Sequence, residues 1–202
     1  KSYTYRDISS TRTTTQIASE SYSGLCSGWS NRTASYTYDA MGNIATITGP
    51  YKNKKSVQRT YTYDAQNQLL SETIGSDMTS YTYDTAGNIR SITGPSVSKS
   101  FSYNDSGDWK DLLTSVTVNG TTRSITYEEE NGVTIGNPLS YFNGTQYTLA
   151  WQNGRQLASL SSGGKSATYT YGADGIRTGK TVTDASGTTT YQYTTQNGQI
   201  TR

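Results

Sequence analysis

Nine residues constrain this chain more than anything else in it. Tyr36-Thr37-Tyr38-Asp39-Ala40-Met41-Gly42-Asn43-Ile44 returns as Tyr81-Thr82-Tyr83-Asp84-Thr85-Ala86-Gly87-Asn88-Ile89, with seven identities in nine positions. Between them stands Tyr61-Thr62-Tyr63-Asp64-Ala65-Gln66-Asn67-Gln68-Leu69, and after them Phe101-Ser102-Tyr103-Asn104-Asp105-Ser106-Gly107-Asp108-Trp109. Units therefore begin at 36, 61, 81 and 101, and looser copies begin near 125, 149, 169 and 191, the last three carrying Trp151, Tyr169-Thr170-Tyr171 and Tyr191-Gln192-Tyr193. Tyr3-Thr4-Tyr5 is a candidate further copy. A short fixed period with turn residues at constant offsets denotes a repeated supersecondary unit.

Each unit reads as a β-hairpin. Tyr-Thr-Tyr has period two, so its rings project from one strand face and the threonine from the other. Asp39-Ala40-Met41-Gly42 then fits a type I turn, with the aspartate bonding local backbone and the glycine left-handed. Asn67 stands in for glycine because asparagine tolerates that conformation. Closure of the hairpin is expected to set Tyr38 opposite Ile44 and Thr37 opposite Ala45. Asn119-Gly120, Asn131-Gly132, Asn143-Gly144, Asn153-Gly154, Asp174-Gly175 and Asn197-Gly198 are expected to join hairpin to hairpin, and Asp184-Ala185-Ser186-Gly187 repeats the longer form. Pro50, Pro95 and Pro138 are expected in connections. The fold class that follows is all-β: an antiparallel meander of tandem hairpins in a curved or spiralling sheet, more than two-fifths strand and almost without helix. A divergent region over residues 1–35 precedes tandem repeats over 36–202.

Composition agrees. Leu, Ile, Val and Phe together supply only 28 of 202 residues, while 18 tyrosines provide much of the apolar area. Few charges and abundant Ser and Thr suit an extracytoplasmic β protein, secreted or attached to a cell surface or wall. No apolar run is long enough to span a membrane as a helix, and Lys1 to Thr15 is too polar for a signal peptide, so an export signal is expected elsewhere in the parent polypeptide. A net charge of +2 argues against a nucleic-acid footprint. The cluster Lys52, Lys54, Lys55 and Arg59 reads as a solvated loop, with contact to an anionic glycan as the alternative.

Catalysis is disfavoured. There is no histidine, which excludes Ser-His-Asp and Cys-His arrangements within the chain. The single cysteine, Cys26, cannot form an internal disulfide and reads as a small packed thiol. Asp39, Asp64 and Asp84 recur at one turn position, so a local hydrogen-bonding role is expected rather than acid–base chemistry. Glu128, Glu129 and Glu130, or Asn104 with Asp105, Asp108 and Asp111, lack the glycine and closing glutamate of a calcium loop. No catalytic residue, cofactor or metal site is expected. Asn31, Asn104, Asn119 and Asn143 begin Asn-x-Ser/Thr sequons that chance alone produces in such a chain. The residues singled out are the structural repeat itself: Tyr36, Tyr38, Asp39, Gly42, Ile44, Tyr61, Tyr63, Asp64, Tyr81, Tyr83, Asp84, Gly87, Ile89, Trp151, Tyr169 and Tyr171. Packing is the expected role of the tyrosines, with a stacking surface for sugars as the alternative.

The recurring Tyr-x-Tyr-Asp-x-x-Gly-Asn-Ile resembles the tyrosine-aspartate repeat of the Rhs and YD-repeat family, whose usual form is Tyr-x-Tyr-Asp-x-x-Gly-Arg-Leu. The runs Trp151 to Leu157 and Tyr169 to Lys180 look like the late repeats of bacterial members. The resemblance implies a fragment of a hollow, cocoon-like shell spiralled from one long β-sheet, enclosing or displaying a C-terminal toxin domain in bacterial proteins. Partners implied are the rest of the parent polypeptide and that domain. Asn43 and Asn88 depart from the family arginine, and Glu128, Gln152 and Gly172 from the aspartate. An adhesin-like module binding carbohydrate through exposed aromatics is the alternative function. The uncharged strand Thr188 to Thr194 leaves an unblunted edge, so edge-to-edge self-association of the fragment is also expected.

Overall fold

The computed structural model describes residues 1–23, 32–52, 54–104, 109–196 and 199–201, with side chains through residue 194. Cys26, Asn31, Asp105, Asp108 and the Asn197-Gly198 turn lie outside the described residues. Among those described there are strands and turns and no helix, and hence none long and apolar enough to cross a membrane. The chain divides into two compact units, Lys1–Val97 and Ser98–Arg202.

The first unit is a meander of β1 (Ser2–Ser9), β2 (Arg12–Tyr22), β3 (Arg32–Tyr38), β4 (Ile44–Tyr51), β5 (Lys54–Tyr63), β6 (Leu69–Ile74), β7 (Asp77–Tyr83) and β8 (Ile89–Gly94). Each strand pairs antiparallel with the next. The second begins one residue into β9 (Val97–Tyr103) and continues through β10 (Leu113–Val118), β11 (Thr121–Ser124), β12 (Tyr127–Glu130), β13 (Val133–Pro138), β14 (Ser140–Phe142), β15 (Gln146–Gln152), β16 (Gln156–Ser162), β17 (Lys165–Tyr171), β18 (Arg177–Asp184), β19 (Gly187–Gln192), β20 (Thr194–Gln196) and β21 (Gln199–Thr201). Here β12–β13 and β20–β21 are separate ribbons and β14 to β19 form one open six-stranded sheet. Nearest-neighbour antiparallel pairing within each sheet is the all-β meander that the repeat implies.

Register supplies a feature the sequence reading missed. Tyr38 pairs with Ile44, but Thr37 pairs with Thr46 and not Ala45, because a bulge intervenes. The same slip follows Tyr63↔Leu69, Tyr83↔Ile89, Tyr103↔Leu113, Trp151↔Leu157 and Tyr171↔Arg177, and also Tyr5↔Ile17 in the first strand pair. The reason lies in the apolar spacing. Ile44 and Ile47 are three apart, so an unbroken period-two strand would point them to opposite faces. One extra residue, Ala45, puts both on the tyrosine face, where Ile47 pairs with Tyr36. The opposite face becomes a row of hydroxyl pairs: Thr37–Thr46 at 2.7 Å, Thr62–Ser71 at 2.6 Å and Thr82–Ser91 at 2.6 Å.

Two further corrections concern turns and prolines. Asn119-Gly120 and Asn131-Gly132 are two-residue links with both φ angles positive. Asp174-Gly175 instead closes a repeat turn, its Gly175 amide donating to the Gly172 carbonyl. Pro50 lies within β4 at a register slip, and Pro138 ends β13 opposite Tyr127. A strand tolerates proline at such points because no ladder donor is required there.

The units are filled differently. In the second, Val116, Val118, Ile125 and Phe142 form a buried cluster, with Phe101, Leu113 and Tyr127 packed on it. In the first, Ala34 is the buried apolar side chain named among the described residues, closed over by Gly49, where an added Cβ would stand 2.8 Å from the Ala34 Cα. Its repeat tyrosines, Tyr36, Tyr38, Tyr61, Tyr63, Tyr81 and Tyr83, are half-buried, while Tyr3 and Tyr5 are exposed.

Candidate functional site

The candidate site is the repeated junction between hairpins. It starts in the turn. The Asp39 amide donates to the Asn43 carbonyl and the Gly42 amide to the Asp39 carbonyl, closing a type I turn with Gly42 at φ 92°. Asp39 Oδ1 accepts from the Met41 and Asn43 amides at 2.9 and 2.8 Å, while Oδ2 accepts from Asn43 Nδ2 at 3.1 Å. Asp64 and Asp84 repeat the backbone contacts. Asn88 binds Asp84 Oδ2 as Asn43 binds Asp39, so the residue standing where the family has arginine locks the turn carboxylate. Arg90 adds an ion pair to Asp84 at 3.3 Å. Where Gly172 replaces the aspartate, Asp174 takes over and accepts from the Ile176 amide at 3.0 Å. The carboxylate has moved two positions along the loop and caps the equivalent amide.

Next comes the ladder. The second aromatic residue of a unit reaches back over the preceding hairpin and donates to the carbonyl at the head of its bulge. Tyr38 donates to Ile17 at 2.8 Å, Tyr63 to Ile44 at 3.0 Å, Tyr83 to Leu69 at 2.8 Å, Tyr127 to Leu113 at 2.8 Å and Tyr171 to Leu157 at 3.0 Å. Trp151 keeps the bond through its indole nitrogen, to Pro138 at 2.7 Å. A bulge disturbs the strand ladder, and a donor from the next unit satisfies the group exposed there. The aromatic ring covers the apolar pair while its polar tip makes the bond, which is why Tyr and Trp fill this position.

First-position tyrosines do something else. Tyr36 donates to Glu20 at 2.7 Å, and Lys1 pairs with the same carboxylate at 3.2 Å. Burial, and then Glu20, push the Tyr36 hydroxyl up to about 12. Burial also raises Tyr61 and Tyr81, with Glu72 contributing. Tyr169 lies against the Arg177 guanidinium, 5.4 Å from ring centre to Cζ.

Carboxylates in these junctions set an acid limit. Glu20 is held below its usual 4.5 chiefly by the Tyr36 hydroxyl. For Asp39 and Asp84 burial pushes upward, but the bonds from Asn43 or Asn88 and the turn amides together prevail and lower both below 3.8. A carboxyl whose folded value is depressed stabilises the fold fully above its unfolded value and loses that contribution as pH falls through the folded one. The urea midpoint should therefore be flat from pH 7 to about 5 and drop below about 4, less steeply in an Asp39→Asn/Asp84→Asn variant. A midpoint equally flat to pH 3 would show that these groups carry no linked stability.

Among the described residues no three His, Cys, Asp or Glu side chains gather as a metal group. Glu128, Glu129 and Glu130 flank Trp151, and Glu128 accepts from the buried Asn137 amide at 2.7 Å. What sequence reasoning missed is the carbonyl half of the ladder, for which Ile-x-x-Ile spacing is the available signal.

Comparison with known proteins bears on this junction. Residues 30–112 match the family model described as Teneurin YD-shell. No curated protein matches the chain. A chain of the crystal structure of TcdB2-TccC3-Cdc42 superposes at a TM-score of 0.52 with 17% identity, over 90% of this chain and 11% of that one. At that identity the likeness speaks for the fold, and the present chain spans about a tenth of the other's length. A porin-like protein from Bacteroides uniformis aligns over 85% of this chain and 87% of its own at 14% identity, but its TM-score of 0.38 carries no argument. Recurring tyrosine-aspartate hairpins and the match over residues 30–112 make that stretch similar to the Teneurin YD-shell, and the likeness to the TcdB2-TccC3-Cdc42 chain speaks for a shared fold over most of the present chain.

Proposed function

We propose that this chain is a non-enzymatic stretch of shell wall in an exported Rhs-like protein, enclosing or displaying a C-terminal toxin domain of the same polypeptide. The observation that carries it is the ladder from tyrosine to bulge carbonyl. At six junctions a hairpin is bonded in this way to the one before it, so units add side by side, as a wall around cargo must. The sixteen repeat residues act as wall structure in this reading, and residues 36–202 as one run of units. Limited proteolysis of the full parent polypeptide tests it. The C-terminal domain should resist cleavage until the wall unfolds; cleavage as fast as that of the free domain would overturn the reading.

A second reading, a surface module that binds carbohydrate, draws on one patch. On β17 to β19 the apolar positions are replaced by Arg177 and Lys180, the former over Tyr169 and Tyr193, the latter 4.6 Å from the Tyr191 ring centre. Cations beside rings, of which Tyr191 is exposed, suit an acidic sugar. Retention on an acidic polysaccharide, lost on Lys180→Ala/Tyr191→Ala, would favour it, and retention equal to the parent's would sink it. Self-pairing at β1 or β19 draws on their end positions, each having one strand neighbour among the described residues.

A further inference from the structure

A second contact between hairpins runs along the rim of turns, and it comes in two forms. At four bulges the residue before the head carries an amide that meets a described turn: Gln16, Asn43, Gln68 and Gln156 precede Ile17, Ile44, Leu69 and Leu157, whereas Leu112 and Ile176 precede Leu113 and Arg177, and the turn that follows Asn88-Ile89 lies partly outside the described residues. Each amide meets the left-handed turn residue of the hairpin that follows. Gln16 Nε2 donates to the Gly42 carbonyl at 3.4 Å and stands 3.2 Å from where a Gly42 Cβ would lie. Gln68 Nε2 stands 3.0 Å from that point at Gly87, and Gln156 Nε2 3.5 Å from it at Gly175. Asn43, one methylene shorter, meets a residue with a side chain, and its Nδ2 donates to Asn67 Oδ1 at 2.7 Å.

We propose that these pairs are a matching rule by which one hairpin recognises the next: glutamine takes a glycine turn, and asparagine takes an asparagine turn. Reach and volume explain it. A glutamine amide reaches over the turn glycine, where a Cβ would crowd it at 3.2 Å from Gly42 and 3.0 Å from Gly87 and meet it in ordinary contact at 3.5 Å from Gly175, so a side chain there would push the amide aside. An asparagine amide stops short, so the turn must supply the second half of the bond from its own side chain. Both Gly42 and Gly87 (φ 92° and 91°) and Asn67 (φ 64°) hold the left-handed conformation. The partner that fits the rim of any hairpin is thus another hairpin of this repeat carrying the complementary turn. Repeats are not interchangeable, and a skipped or swapped hairpin presents a mismatch at the rim. The rule concerns neighbour choice and is independent of what the wall encloses.

A double-mutant cycle tests it at the junction of Asn43 with Asn67. Asn67→Gly removes the acceptor of Asn43 and leaves a gap, and Asn43→Gln drives a longer amide into the Asn67 side chain. Each single change should lower the melting temperature by roughly 2–4 °C, the range for a modest loss in a chain this long. Asn43→Gln with Asn67→Gly recreates the junction of Gln68 with Gly87 and should recover most of the combined loss, short of the Asn43 bond to Asp39 that the glutamine gives up. The reverse swap supplies the second measurement: Gly87→Asn should be worse alone than with Gln68→Asn. Additive losses in both cycles would overturn the rule. Amide hydrogen exchange in the 64–68 turn should follow the same order, since a matched rim protects the turn and a mismatched one opens it.

Discussion

Gly87→Val should lower stability by about 3 kcal/mol, at the upper end of the strain expected from one misplaced backbone conformation. Gly87 holds φ at 91°, where its amide closes the turn onto the Asp84 carbonyl at 3.1 Å. A β-branched residue reaches that region only against its own carbonyl, and its Cβ would also arrive 3.0 Å from Gln68 Nε2. Straightening the turn instead would break the bonds that Asp84 accepts from the Ala86 and Asn88 amides. The comparison is Asn67→Gly, which keeps a residue able to hold φ near 64° and gives up one side-chain bond, for a loss of no more than about 1 kcal/mol. Urea midpoints at pH 7 measure both. Equal losses would mean that the left-handed position does not govern the turn.

Removing one hydroxyl should have the next largest effect. Tyr63→Phe keeps the ring over β4 and deletes only the donor to the Ile44 carbonyl, 3.0 Å away. A half-buried carbonyl left without that partner forfeits about 1–3 kcal/mol, more than a bond whose loss water repairs. Tyr191→Phe is the control, because that tyrosine is 46% exposed on β19 and its change should stay within about 0.5 kcal/mol. Since hairpins in such a sheet depend on their neighbours, the Tyr63 variant should also raise hydrogen exchange on both sides of the junction, in β4 as well as β5. A Tyr63→Phe protein as stable as the Tyr191→Phe protein would reduce the ladder to ring packing.

Between them the two variants separate what the repeat shows in its letters from what it conceals. The turn was legible because it is local. Aspartate, glycine and the two residues between them carry their own geometry, and Asp39, Asp64 and Asp84 accept from turn amides two residues on. The tyrosine bond was not legible, since its acceptor is a main-chain carbonyl and any residue type supplies one. Register misled for the same kind of reason: with a strict period of two, Thr37 belongs opposite Ala45, and only the need to place Ile44 and Ile47 on one face forces the bulge.

From its sequence alone this chain was determined to be a string of β-hairpins, their turns fixed by Asp, Gly and Asn and their faces by alternating Tyr and Thr. Each of those choices is settled within nine residues, by sterics and by hydrogen bonds to nearby backbone. Tertiary structure alone decided how one hairpin holds the next: Tyr63 on the Ile44 carbonyl, Asn43 on Asn67. These contacts join residues some twenty positions apart, and their partners are backbone groups and spaces that become available only once the strands are in register.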